Sequence, residues 1–206
     1  MIPAIEALAR LKQGNQRFVD NVRSSKTPTS AANRFELGEQ EPFAVILGCS
    51  DSRVPVEIVF DQGLGDLFVI RVAGNIIAPS LVGSVEFAAE RFDTKLVVVL
   101  GHSHCGAIEA TLEFLQNPGT NHSGNLSSIV ERVRPSVEEL LTTNLKNDPV
   151  ALLHHAVRAN IRASVSQLRH GSAIIEQLIE KNGLLVVGAE YSLKTGEVDF
   201  FDGVPG

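Results

Sequence analysis

Four segments of this 206-residue chain are nearly unbroken apolar runs: "FAVILG" (43–48), "LFVIRVAG" (67–74), "LVVVLGH" (96–102) and "LLVVGAEYS" (184–192). They are short, rich in β-branched residues, and show no alternation of apolar and polar positions. A strand with one wet face alternates, whereas a strand covered on both faces does not. The runs therefore predict a parallel sheet with helices on each side. Helical patterns fall between them, at Val82–Phe92, Ala107–Gln116 and in a long segment from Asp148, where Asp148-Pro149 supplies an N-cap and a proline at the first helical position. Gly171 separates that helix from Ser172–Asn182, and Gly183 is its stop signal.

The opening residues place Ile5, Leu8, Leu11, Phe18 and Val19 at helical spacing, and a polar stretch with Pro28 follows. Near the end, "EYSLKTGEVDFFDG" predicts a hairpin turning at Lys194-Thr195-Gly196, which adds an antiparallel edge strand. Residues 117–125, "NPGTNHSGN", read as a loop. The expected fold is α/β, with a central, mostly parallel β-sheet of four parallel strands plus an antiparallel edge strand, flanked by helices. A single domain is expected over 1–206, with an N-terminal helical arm and linker at 1–40 and an α/β core at 41–206.

Charge narrows the function classes. The net charge of -6 offers no electrostatic attraction for nucleic acid or an anionic membrane. The one basic cluster, "ERVRP", reads as a solvated helix face. No apolar run approaches the roughly 18 residues that span a bilayer. The first residues carry charges of both signs and no apolar core of a signal peptide, so a cytoplasmic location is expected.

There are two cysteines, too few for a disulfide framework. A lone cysteine is commonly a small buried hydrophobe, but both of these stand at strand ends beside other reactive groups, in "ILGCSDSR" and "VLGHSHCGA". Ligands of open parallel sheets collect beyond the carboxyl ends of the strands. If the two strands are parallel neighbours, Cys49, His102 and Cys105 emerge on one edge, and two thiolates with an imidazole suit zinc with a fourth position open. His102 and His104 compete for the imidazole role; His104 is otherwise a surface group or a proton shuttle. Asp51 and Arg53 read either as a salt bridge bracing the loop or as a carboxylate oriented by a guanidinium. Released from Arg53, Asp51 can instead take the fourth metal position.

Two other cysteine chemistries fit poorly. A phosphate-cradling nucleophile needs arginine six positions after the cysteine, where this chain has Pro55. A thioredoxin-like site needs C-x-x-C, which is absent. A reversible Cys49–Cys105 disulfide leaves His102 and Asp51 unexplained.

The motifs "CSDSRVP" (49–55) and "GHSHCGA" (101–107), with "DLFVIRVAGN" (66–75) between them, resemble the β-class carbonic anhydrases. The likeness runs from about Ile5 to the C-terminal hairpin. It implies reversible hydration of CO2 to bicarbonate and a proton, with Zn2+ on Cys49, His102 and Cys105, an Asp51–Arg53 dyad, and zinc-bound hydroxide as nucleophile. It also implies substrate contacts at Gln40, Phe68, Phe87 and Gly106, with Phe68 reaching across a dimer interface. Family members are dimers or larger assemblies, so a homo-oligomer is implied, with the N-terminal helix clasping its partner and CO2/bicarbonate as the small-molecule substrate. Some relatives of this fold hydrolyse carbon disulfide or carbonyl sulfide instead. One bacterial branch binds inhibitory bicarbonate with a tryptophan three residues before the first cysteine, together with an arginine and a tyrosine. Here Arg71 and Tyr191 match but Ile46 replaces the tryptophan, so no bicarbonate-locked state is expected.

Overall fold

The computed structural model describes residues 1–22, 38–117 and 123–205. Its centre is a five-stranded sheet of β1 (Ala44–Gly48), β2 (Leu67–Arg71), β3 (Leu96–His102), β4 (Leu185–Tyr191) and β5 (Val198–Asp202), in the order β2-β1-β3-β4-β5. The first four are mutually parallel, and β5 runs antiparallel to β4. This is the sheet that the apolar runs and the terminal hairpin predict.

Every residue of β1 and β3 is buried, because successive side chains alternate between two apolar layers. Val45, Leu47, Val97 and Val99 enter one core with Ile161, Val165 and Leu168. Ile46, Leu96, Val98 and Leu100 enter the other, with Leu8, Leu11 and Phe60. The register sets Gly48 opposite Leu100 on β3 and opposite Arg71 on β2. The chain therefore leaves β1 and β3 side by side.

Helices α1 (Ala4–Val19), α2 (Val56–Val59), α3 (Pro79–Arg91), α4 (Gly106–Gln116), α5 (Gly124–Val137), α6 (Pro149–His170) and α7 (Ala173–Asn182) cover the sheet. Asp148 caps α6 by accepting from the amides of Val150 and Ala151, and Pro149 opens it as read from sequence. Ser172 caps α7, and Gly183 ends it at φ 70°. The expected loop over 117–125 is cut short, because Ser123 is an N-cap and Gly124 begins α5; residues 118–122 of that loop lie outside the described residues. The linker reading for the polar stretch likewise falls largely outside them, at residues 23–37.

Helix α1 lies on its own chain: Ala7, Leu8 and Leu11 are buried in the second core. Ile5, of the same apolar stripe, is 56% exposed. Asn15 is buried and trivalent, its amide donating to the carbonyls of Val59 (3.1 Å) and Gly196 (2.8 Å) and its oxygen accepting from the Val198 amide (2.8 Å). The neighbouring Gly14 makes this possible, since a Cβ there would fall inside the Phe60 carbonyl. Gly14→Ala will therefore lower stability by about 2–3 kcal/mol despite alanine's better helix propensity; an unchanged thermal midpoint would show that α1 is not seated as described.

Candidate metal centre

Cys49 follows β1 directly, His102 is the last residue of β3, and Cys105 immediately precedes α4. The parallel register thus brings together three side chains from two motifs. Their ligand atoms all lie within 4.8 Å of one another, and all three residues are buried. Among the described residues no other group of three histidine, cysteine or carboxylate side chains does this. The two sulfurs are 3.9 Å apart, and both cysteines are free.

The imidazole question has a backbone answer. His104 adopts φ 54°, and this left-handed residue makes the bend that returns Cys105 towards His102. His104 itself is exposed, and its carbonyl accepts from Arg53 at 3.3 Å. His102 is fully buried, with Nδ1 3.0 Å from the Ser103 carbonyl. That contact fits an Nδ1–H tautomer and leaves the Nε2 lone pair free; Nε2 is buried without a hydrogen-bond partner. An orphaned imidazole nitrogen beside two thiols is the donor set that zinc prefers.

Asp51 and Arg53 meet across a turn at residues 52–53. Arg53 donates from Nε to Oδ1 (2.9 Å), from Nη2 to Oδ2 (2.7 Å), and from its backbone amide to Oδ1 (2.9 Å). This fork holds the Asp51 carboxyl well below the usual carboxylate range, against a smaller opposing effect of burial. Asp51 Oδ2 is 3.9 Å from His102 Nε2, so the dyad borders the donor set. The thiols behave as a pair: the Cys105 hydrogen bond is the main cause lowering Cys49, and Cys49 in turn pushes Cys105 up.

Arg71 entered the sequence reading only as part of an incomplete bicarbonate triad. In the structure its Nε donates to the Cys49 carbonyl (3.0 Å) and its Nη2 to the Asp51 carbonyl (2.6 Å). It therefore fastens the loop that carries both residues. The signal was a guanidinium interrupting the apolar run of β2, but only the register shows that it stands opposite Gly48.

The expected substrate residues are dispersed. Gly106 opens α4 beside Cys105, where first-turn amides lack helical partners. Phe68 pairs with Val45, four positions before Cys49, which places it about 13 Å back along the sheet at ~3.3 Å per residue. It packs with Phe87 and Phe92 in a cluster with ring centroids 5.7–6.1 Å apart, and Phe87 is 53% exposed. Gln40 is exposed and lines a cleft with Arg10, Leu64, Asp66 and Leu67. Neither Phe68 nor Gln40 is brought to the metal set of its own chain by these placements.

Residues 44–198 match the family model described as carbonic anhydrase. The chain belongs to the β-class carbonic anhydrases. It is an enzyme of that family, with the Cys-His-Cys triad in place. It is 40% identical to carbonic anhydrase 2 of Mycobacterium tuberculosis, over 93% of this chain and 90% of that protein. It is 38% identical to a carbonic anhydrase of Mycolicibacterium smegmatis, over 95% of this chain and 92% of the other. Among solved structures it resembles one of two tetrameric β-carbonic anhydrases from Sordaria macrospora, with a TM-score of 0.70, 26% identity, and coverage of 82% of this chain and 85% of the other.

Proposed function

We propose that this carbonic anhydrase catalyses the reversible hydration of CO2 to bicarbonate and a proton, with zinc held by Cys49, His102 and Cys105. The observation that carries the reading is the orphaned, buried Nε2 of His102 between two free thiols, with the Asp51–Arg53 fork at its edge. Zinc bound there supplies Lewis acidity that brings the ionisation of a water near pH 7.

The protein's own groups do the rest. Asp51, ionised and fixed by Arg53, keeps spare lone pairs on both oxygens. It accepts a hydrogen bond from the reacting water and aims that oxygen at carbon. Burial of the triad excludes competing solvent from its inner side. The Gly106 amide is the nearest expected donor for a substrate oxygen. Phe68 and Phe87 line an apolar pocket for CO2 and Gln40 hydrogen-bonds the substrate, with Phe68 reaching across to the site of a second copy, which makes the working form a homo-oligomer, dimeric or tetrameric.

No helix among the described residues is long and apolar enough to cross a membrane, and a cytoplasmic location is part of this reading. A stopped-flow CO2 hydration assay with metal analysis, across pH 7 to 9, tests it directly. Zinc-loaded protein without hydration would redirect the assignment to carbon disulfide or carbonyl sulfide hydrolysis, each assayable on the same sample, or to a non-catalytic scaffold if both fail.

Ile46 is fully buried in the second core, and Arg71 is engaged with the Cys49 and Asp51 carbonyls. Added bicarbonate will therefore act as a simple product inhibitor. A sigmoidal loss of initial rate with bicarbonate, with a Hill coefficient clearly above one, would contradict this.

A further inference from the structure

The segment after β2 makes an unusual turn beside the donor set. Gly74 (φ 73°) and Asn75 (φ 43°) are consecutive residues in the left-handed region, which asparagine enters more readily than other residues that carry a Cβ. The Gly74 amide donates to Cys49 Sγ at 3.4 Å. On its other side Gly74 has little room, since a Cβ there would lie 3.2 Å from the Ala107 Cβ, in the first turn of α4 after Cys105. The turn is thus wedged between the two segments that carry the sulfurs.

The turn is held from α6, a helix that contributes no expected metal ligand. Asn160 Nδ2 donates to the Gly74 carbonyl at 2.8 Å, and Ser164 Oγ donates to the Asn75 carbonyl at 3.0 Å. The two side chains are one helical turn apart on one face, and only 2% and 3% of their residue surfaces are exposed. Their neighbours on that face, Ala156, Val157, Ile161, Val165 and Leu168, are apolar and buried. Two polar groups in such a stripe are costly unless bonded, and here both bond to backbone carbonyls of the buried turn.

We propose that Asn160 and Ser164 are positioning residues of the metal centre: they fix the Gly74–Asn75 turn so that its amide stays on the Cys49 sulfur. The proposal rests on the zinc reading of the triad. An amide on a metal-ligating thiolate stabilises the charged sulfur that zinc requires, so its loss weakens the hold on the metal and makes the sulfur easier to oxidise. It also fixes the direction in which Cys49 presents its lone pairs. Partners behind the ligands commonly change metal affinity by about 10–100-fold. Without the clamp the two carbonyls lose these donors, the turn is freed to shift, and the amide leaves the sulfur.

The test uses the full chain in five forms: wild type, Ser164→Ala, Ser164→Thr, Asn160→Leu and Leu168→Ala. Zinc affinity is measured by competition with a chromophoric chelator. Cobalt(II)-substituted protein gives the thiolate-to-metal charge-transfer band, which moves to lower energy when a sulfur loses a hydrogen bond. Ser164→Ala should bind zinc about 10-fold more weakly and Asn160→Leu up to about 100-fold, both with the band shifted down in energy. Ser164→Thr keeps the hydroxyl and should restore both readouts. Leu168→Ala lies further along the same face, and should lower the thermal midpoint while leaving affinity and band unchanged.

Wild-type affinity and band position in folded Ser164→Ala would overturn the proposal, even if Asn160→Leu cannot be produced. An equal shift in Leu168→Ala would also overturn it, by showing a general effect of helix stability. A wild-type protein that takes up no zinc would remove the metal-centre reading itself, and the proposal with it, and that failure is visible before any variant is made.

Discussion

Cys49→Ala will fold, hold no zinc, and hydrate CO2 at least about 10³-fold more slowly than the wild type, a loss of ~4 kcal/mol of barrier lowering. The expectation follows from how little else Cys49 does. Its side chain is small, and removing the sulfur from the core costs on the order of 1 kcal/mol, in the range of deleting a single methylene. Its sulfur meets the Gly74 amide and the Cys105 thiol, both of which belong to the metal centre. With one donor gone, His102 and Cys105 are left as a two-ligand set. Thermal melting separates the possible causes of inactivity. A ligand that binds the folded state raises the melting temperature by mass action, so chelator should lower the wild-type midpoint and leave Cys49→Ala unmoved. A Cys49→Ala protein that retains stoichiometric zinc and full activity would sink the assignment of the ligand set.

Arg53→Ala will give the opposite combination, full zinc content with hydration reduced by about 10²-fold or more, in line with losing a group that orients the reacting water. Arg53 is exposed and its removal creates no cavity, so the fold should be unaffected. What changes is Asp51. Three hydrogen bonds from Arg53 hold that carboxylate away from the donor set, although Oδ2 is only 3.9 Å from His102 Nε2. Two of the three come from the side chain, and losing them frees Asp51 to turn towards the position that substrate chemistry requires. The same loss reverses the main cause of its depressed pKa. In the wild type the carboxylate therefore stays ionised as pH falls through the ordinary carboxylate range, while in Arg53→Ala it protonates at higher pH than in the wild type. Metal analysis with the hydration rate decides the matter: zinc lost together with activity would mean that Arg53 maintains the ligands rather than the water.

The strand runs of the sequence were readable because burial on both faces removes the alternation that other strands carry. The cap at Asp148 and the stops at Gly171 and Gly183 were readable because they depend on local backbone chemistry alone. Helix α5 was not, although Val130, Val133 and Val137 face the core. Its polar start and Pro135 conceal the apolar period, and only "ERVRP" suggested a helical face. At the site, residue types and strand ends were enough to nominate Cys49, His102 and Cys105. The choice of His102 over His104 needed the bend at residue 104, which a propensity argument does not supply for histidine. The clamp from Asn160 and Ser164 was invisible for a different reason. Its meaning lies in carbonyls on a turn 86 and 89 residues away in sequence, and a polar residue in an apolar stripe does not name its partner.

The parallel pairing of β1 with β3 has a consequence for how the chain acquires its metal. In an unfolded chain His102 and Cys105 are always close, but Cys49 is 56 residues from Cys105. A slip of the two strands by two residues would keep each side chain on its proper face and still carry Cys49 about 7 Å from its partners. The metal set therefore records the register of the sheet, and zinc cannot template it early. During refolding, tight zinc capture should appear only with the late, long-range step that joins β1 to β3, so the rate of metal uptake becomes a clock for completion of the sheet.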